Sequence, residues 1–564
     1  MTTSLLGLGR QEDDLVTPFI WIGWAFTLFI FQLTHFALPL TAFVVIPVLI
    51  IGVASAIPGV IASFRSHTIR TSKVLMVLSG IISVVLLVSF WVASRSMLTP
   101  ENYDSGLYHF NKIRWINSFP VVPGLGNLHG RLAFNQSFFT YVAALNFFPF
   151  FGRGYSIANS FLYLLANATF IDLLRPVFKR PSLLVEDHPF KYTSIIIAFP
   201  ILWYLSISGC NLSSPSPDFA SIVLQLTMII ILAQGIGEYT TKQANQNFKV
   251  VLLGILATTA VTVKLSNLAF SAVIMSFVIL YAIKPHAKKT VFRTMVLSAM
   301  MMLVWCVQGF ILSGAPLYPS TIGYLPVDWA VPVEKVISEA KFICSSARQP
   351  DGVYWKDIPD NWNWFFPWLS SLLINKLRVV IPLSAAVFFL IATLIISRFR
   401  RNYRTQYLEW AVLLPVIIGL IYWFLTAPSI RFSHALFVIM PLCSILLFLS
   451  SLQNIINRKI FCVVICVILI VLYSGFAGLI VKNREAVKSI SLSGWHPIKE
   501  VPLDRKITLS GLTVYTVKNP GEDQCWDSIL PSTPFFDAYL SLRNPNNMPS
   551  GFKMIREEGS QYKK

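Results

Sequence analysis

Residues 136–175 read QSFFTYVAALNFFPFFGRGYSIANSFLYLLANATFIDLLR, and the fold turns on how often this stretch crosses a bilayer. About 20 apolar residues suffice for one crossing. The stretch is long for a single span and is broken by Phe147-Phe148-Pro149-Phe150-Phe151-Gly152. We read 136–150 as a re-entrant or interfacial helix and 154–175 as one span. If 136–150 crossed instead, every later loop would change sides.

Further apolar segments lie at 16–36, 39–63, 74–94, 193–210, 218–236, 249–264, 266–283, 294–314, 377–397, 408–427, 432–450 and 460–481. Between them sit basic clusters: Arg65/Arg70/Lys73, Lys179/Arg180/Lys191, Lys284/Lys288/Lys289/Arg293, Arg398/Arg400/Arg401/Arg404 and Arg458/Lys459. Positive charge favours the cytoplasmic side. One assignment satisfies every cluster. The N-terminus is cytoplasmic, and 95–135, 211–217, 315–376 and 483–564 are outside. The expected fold is an all-α polytopic membrane protein of about 13 transmembrane helices. It divides into N-terminal spans (1–94), a first outer loop (95–135), the remaining transmembrane body (136–482) and an outer C-terminal domain (483–564). Ile507-Thr-Leu509, Leu512–Val517 and Asn519-Pro-Gly521 give that last part a strand-and-turn pattern, and so small a unit is expected to pack on the body.

Composition agrees. The 564 residues are 55% hydrophobic and 13% charged, against about 25% charged in a soluble globule. The net charge of +19 falls in the loop clusters, so it reads as orientation bias and lipid head-group contact rather than nucleic-acid binding. The chain has seven cysteines and no CxxC pair. Cys344 and Cys525 lie in the long polar segments, and whether they pair is open.

Polar groups concentrate in the first outer loop, around Glu101, Asp104, Tyr108, His109, Asn111, Lys112, Arg114, Asn127, His129 and Arg131. Asp104 is either a general base or metal-binding carboxylate, or an N-cap for the helix it opens. Glu101 is a candidate second carboxylate if a divalent metal binds, and no cofactor is fixed. Gly124, Gly126 and Gly130 offer backbone N–H groups to an anion. Lys264 ends an apolar run, where it either snorkels or meets a lipid phosphate. Asp218 opens a span as an N-cap or a site carboxylate. Arg431 either holds phosphate bidentately or pairs with Asp104 or Asp218. In the 315–376 loop, residues 332–347 form an amphipathic pattern. Trp355, Trp362, Trp364 and Trp368 follow it and read mainly as an interfacial belt. Trp362-Asn363-Trp364, beside Asp360 and Asn361, also suits sugar stacking.

Asp104-Ser-Gly-Leu-Tyr108-His109 and Val121-Val-Pro-Gly-Leu-Gly-Asn-Leu-His-Gly-Arg131 resemble patches of a family of bacterial multi-spanning membrane proteins. So do Thr262-Val-Lys264, Leu312–Ser320 (which contains Tyr318), Trp362-Asn-Trp364, Thr426–Phe432 and Gln524-Cys-Trp-Asp527. More coarsely, the layout resembles the GT-C glycosyltransferase superfamily. Its members take polyprenyl-phosphate sugar donors and carry a key acidic residue in the first large outer loop. The resemblance implies a bacterial inner-membrane enzyme with a periplasmic C-terminal domain and Asp104 at the catalytic acidic position. It would move a sugar from such a donor to a glycan or lipid acceptor in cell-envelope assembly. On physical grounds Lys264 and Arg431 are the candidates for donor phosphate; with them, Tyr108, His109, Asn127, His129, Arg131, Asp218, Tyr318, Trp362 and Trp364 are the candidate substrate-binding residues. Here the acidic loop follows the third span rather than the first, and no adjacent acidic pair is present. The alternatives are a polysaccharide polymerase or ligase, a flippase or transporter for lipid-linked glycans, and a non-catalytic scaffold.

Overall fold

The computed structural model describes residues 17–66, 86, 88–147, 152–207, 212–240, 247–349, 353–358, 361–398, 406–433, 435–453, 455–482, 497–519 and 521–555. The Phe148–Phe151 part of the expected break, Arg70, Lys73, Asp360, Arg400, Arg401 and Arg404 lie outside these residues.

The body is helical. Its helices are α1 (Thr17–His35), α2 (Ala42–Ser66), α3 (Phe110–Ser118), α4 (Phe138–Ala144), α5 (Gly154–Leu173), α6 (Thr193–Ile207), α7 (Pro217–Thr240) and α8 (Asn247–Val263). After them come α9 (Leu268–Leu280), α10 (Lys288–Ser313), α11 (Val333–Arg348), α12 (Phe365–Ile374), α13 (Ile381–Ser397), α14 (Leu414–Thr426), α15 (Leu436–Gln453) and α16 (Arg458–Lys482). Among the described residues, eight of these are long and apolar enough to cross a membrane: α1, α7, α9, α10 and α13 to α16, with the turns leading into some of them. The protein is an integral membrane protein.

The sequence count of about 13 spans is finer than these helices carry. The expected 74–94 span is only partly described. Ala42–Ala54, Thr193–Ser206 and Asn247–Val263 are shorter apolar stretches. Helix α5 has the length, but Asn159, Ser160, Asn167 and Thr169 interrupt its apolar run, and all of them are buried. The seven-residue α4 is about 10 Å long, well short of a bilayer core.

Helix α7 is the central element. Its apolar stretch is 94% buried, whereas that of α16 is 11% buried. A helix apolar all round and covered by protein is a core helix; one equally apolar and uncovered faces lipid. Burial alone does not align helices in lipid, so buried polar pairs help set the packing. Gln32 of α1 donates to Gln308 of α10 at 2.9 Å, and Gln225 of α7 donates to Asn267 at 2.9 Å.

The C-terminal end of α1 and the loop after α3 meet where Val121 N–H bonds His35 C=O at 2.9 Å. Ser137 bonds the end of α8 through Thr262 C=O at 2.9 Å, and Gly124 bonds Ile311 of α10 at 2.8 Å. The 95–135 loop therefore gathers several helix ends at one end of the bundle.

Past α16 the chain forms two antiparallel hairpins. Strand β1 (Leu503–Ile507) pairs with β2 (Thr513–Val517), with Leu503 opposite Val517. Strand β3 (Leu540–Leu542) pairs with β4 (Phe552–Met554). Two-stranded ribbons are marginal alone, and these are docked on the first loop. Phe552 N–H donates to Pro123 C=O at 2.9 Å, and Asn111 Nδ2 to Ser532 Oγ at 2.6 Å. Ion pairs Lys335–Asp537 (2.6 Å) and Arg543–Asp328 (2.7 Å) tie the hairpins to the 315–376 loop. Cys525 is buried and is not joined to Cys344.

Candidate active site at the loop end of the bundle

The turn that carries Asp104 is a π-helical turn, Ser105–His109, running into α3. Asp104 stands at its N-cap position but makes no side-chain cap bond, so the capping reading is not realised. Nothing in its own turn consumes the carboxylate, which reaches across the bundle end to Arg431 Nη2 and lies 3.8 Å from Arg131 Nη1. Arg431 comes from the turn Ile430–Ser433, just before α15. Its Nε donates to Asp218 Oδ2 at 2.6 Å. Asp218, in the first turn of α7, spends its other oxygen on Lys264 Nζ, from the turn between α8 and α9. Arg131 continues the chain to Glu339 of α11 at 2.7 Å.

The result is one line of alternating charge: Lys264, Asp218, Arg431, Asp104, Arg131, Glu339. Its formal charges cancel, the condition under which ionised groups persist in a buried site. Aromatic faces line the cations. Lys264 Nζ is 4.7 Å from the Phe432 ring centroid, and Arg131 is 5.2 Å from that of Phe342. The Arg431 side chain remains 38% exposed, and its Nη1 makes none of these bonds.

Burial by itself would raise the Asp104 carboxyl, but the guanidinium groups of Arg431 and Arg131 outweigh it and hold the group below its ordinary value. At Glu339 burial wins over Arg131 and the carboxyl is raised. Burial pushes the phenols of Tyr108 and Tyr318 up, and depresses the imidazoles of His109 and His129 to about 3. Both histidines are therefore neutral at pH 7. His109 is fully buried, and neither ring nitrogen has a partner among the described residues.

The other candidate residues divide. Tyr108 packs edge-on against His109, at 4.5 Å between centroids. Tyr318 Oη lies beside Gly130, on the side that also faces Glu339. His129 meets Phe535 of the C-terminal segment at 5.7 Å. Asn127 is structural: it donates to Trp329 C=O at 2.9 Å and to Phe552 C=O at 3.4 Å. Trp362 and Trp364 stack at 5.7 Å in a separate cluster with Phe424, and Arg348 covers Trp364. Phe432, whose ring lies against Lys264 and Arg431, packs against the apolar cluster that contains Trp364. Glu101 is exposed while Asp104 is buried, and no three His, Cys, Asp or Glu residues converge as a metal site among the described residues. The glycines are close-approach positions rather than an anion cradle. A Cβ on Gly124 (φ +64°) would lie 2.2 Å from Phe552 C=O, and one on Gly126 2.8 Å from Ala133 Cβ. Sequence reasoning missed Glu339. Its signal was an acidic residue three positions after Val336, on the inward face of the amphipathic helix.

Residues 2–438 match the family described as "Domain of unknown function (DUF8201)". The match covers more than three quarters of the chain. The chain belongs to the DUF8201 family. All six charged residues of the line fall inside the DUF8201 match, and the docked hairpins lie beyond its end. No curated protein and no solved structure matches the chain.

Proposed function

We propose that this DUF8201 protein is a membrane glycosyltransferase. It takes a polyprenyl-phosphate-linked sugar donor at the outer face of a bacterial inner membrane and passes the sugar to a glycan or lipid acceptor. The observation that carries the reading is the alternating ion-pair line, where Arg431 bridges Asp104 and Asp218 and its Nη1 makes no hydrogen bond among the described residues. A guanidinium with a free edge is the side chain best suited to bind a phosphate without surrendering all its existing bonds. In the orientation that goes with this reading the N-terminus is cytoplasmic, about 13 segments cross, and the C-terminal hairpins are periplasmic.

The reaction needs a base, a leaving-group stabiliser and a place for the lipid. The acceptor hydroxyl loses its proton to Asp104 as its oxygen bonds the anomeric carbon. The bond from that carbon to the phosphate oxygen breaks, and polyprenyl phosphate leaves with the electron pair. Arg431 and Lys264 stabilise the growing phosphate charge. In the resting site these cations are occupied by carboxylates. Donor phosphate draws Arg431 away from Asp104, which weakens the interaction that depresses the carboxyl and makes it a better base. The apolar flanks of the bundle supply the surface for the isoprenoid chain.

The test uses protein in nanodiscs and a panel of radiolabelled polyprenyl-phosphate sugars, with Asp104→Asn as control. Retention of one donor, with transfer or hydrolysis lost in the variant, supports the reading. Absence of donor binding across the panel overturns it and directs the next test to lipid-linked oligosaccharides.

A further inference from the structure

The turn that bears Asp104 is held from outside the membrane body. Gln524 Nε2 donates to Tyr103 C=O at 2.7 Å, on one side of Asp104. Trp526 N–H donates to Gly106 C=O at 2.8 Å, on the other. Tyr103 Oη also bonds the Asp523 carboxylate. A Cβ on Gly106 would stand 2.6 Å from Trp526 Cε2 and 3.0 Å from Gln524 Cβ, so the segment lies directly on the glycine. The Trp526 indole also packs on Phe110 of α3, at 5.7 Å between ring centroids. Trp526 adopts a φ of +50°, a conformation that a non-glycine residue holds only when its surroundings enforce it. Within its own turn Asp104 has no side-chain bond to orient it. Ser105 Oγ bonds Ser214 Oγ at 2.8 Å, and the backbone carbonyls on both sides of Asp104 are bonded by residues past the end of the family match.

We propose that Asp523–Asp527 is a positioning clamp for Asp104, with Gln524 and Trp526 as its positioning residues. The clamp sets the backbone on both sides of Asp104, so that the carboxylate meets Arg431 and Arg131. Its catalytic meaning rests on the transferase reading, whereas the clamp itself does not. It also explains why residue 106 is glycine: any side chain there would lift the clamp.

The test reads the carboxylate rather than turnover. The full-length protein in nanodiscs is labelled with a water-soluble carbodiimide and glycine ethyl ester, and the modified carboxyls are located by mass spectrometry. Trp526→Ala keeps the backbone N–H bond to Gly106 C=O but removes the indole that packs on Gly106 and Phe110; it is expected to label Asp104 about five-fold faster, the change when an opening becomes easier by one aromatic contact. Asp218, seated on α7, keeps its wild-type rate, and Trp526→Phe restores slow labelling of Asp104. Gln524→Ala gives the same selective change if Trp526→Ala does not fold. An unchanged Asp104 rate in a folded variant overturns the proposal. So does a parallel rise at Asp104 and Asp218, which marks general loosening. A missing donor in the nanodisc panel leaves the labelling result unaffected, so failure of the two readings is distinguishable.

Discussion

Arg431 Nε stands 2.6 Å from the Asp218 carboxylate, 213 positions away in sequence, while the same guanidinium bonds Asp104 through Nη2. One planar cation thus joins the first loop, the start of the central helix and the turn before α15. Removing it leaves Asp218 with Lys264 and Asp104 with Arg131 at 3.8 Å, each buried carboxylate having lost its shared partner.

Arg431→Ala should therefore destabilise the protein. Breaking one partner of a fully buried pair costs about 3–5 kcal/mol; with Arg431 38% exposed, about 2–3 kcal/mol is expected after allowance for solvent screening. Arg431→Lys keeps the charge but not the fork, and should recover only part of the loss. Thermal melting in detergent reads both, and a melting point equal to wild type in Arg431→Ala would show that the bridge carries no stability.

Asp104→Asn keeps the side-chain shape and removes the proton acceptor. Donor transfer should fall by at least about 100-fold, the lower range for loss of a general base, while the protein stays folded and retains donor. Single-turnover measurements on bound donor separate the two effects.

Acid should weaken the fold. His109 and His129 are held neutral by burial, at about 3 against an ordinary 6.5. Their contribution is complete above about 6.5, and is lost as pH falls from there toward 3, because the unfolded chain binds the extra protons. Asp104, also depressed, acts in the same direction at lower pH. Melting points should decline from pH 7 to 4.5, and His109→Phe should flatten that slope. An unchanged slope would mean that His109 titrates normally.

A guanidinium already bridges Asp104 and Asp218, so a divalent ion would have to displace it. Donor turnover should be the same with and without a chelator. Loss of activity in EDTA, restored by Mg²⁺ or Mn²⁺, would contradict this.

Gly124→Ala tests how the hairpins are seated. The added Cβ would fall 2.2 Å from Phe552 C=O and 2.6 Å from Trp329 C=O, at a φ of +64°. Limited proteolysis should cut the C-terminal segment faster in this variant; equal rates would show that the loop yields without cost.

Much of the site was legible because charged residues at the ends of apolar runs are unusual. Asp218, Lys264 and Arg431 stood out in that way, and Asp104 by its place in the polar first loop; the alternative that Arg431 pairs with Asp104 or Asp218 is met twice over. The apolar pattern also gave the membrane class and the amphipathic helix, found as α11. The N-cap alternative for Asp104 is not realised because a local propensity loses to distant cations. The partnership of Trp526 with Gly106 had no signal at all: close backbone approach between residues hundreds of positions apart leaves no periodicity. The count of spans stayed coarse for a related reason. Helix α5 hides polar residues against its neighbours, so hydropathy alone underrates it.

The contact between Gln524 and Tyr103 has a consequence in time. The two residues are 421 positions apart. A ribosome adding about 5–20 residues per second needs roughly 20–80 s to travel between them. Throughout that interval the first loop is already made, yet the strap across its acidic turn does not exist. The centre is thus assembled late, and a nascent chain threading through the membrane carries it unfinished.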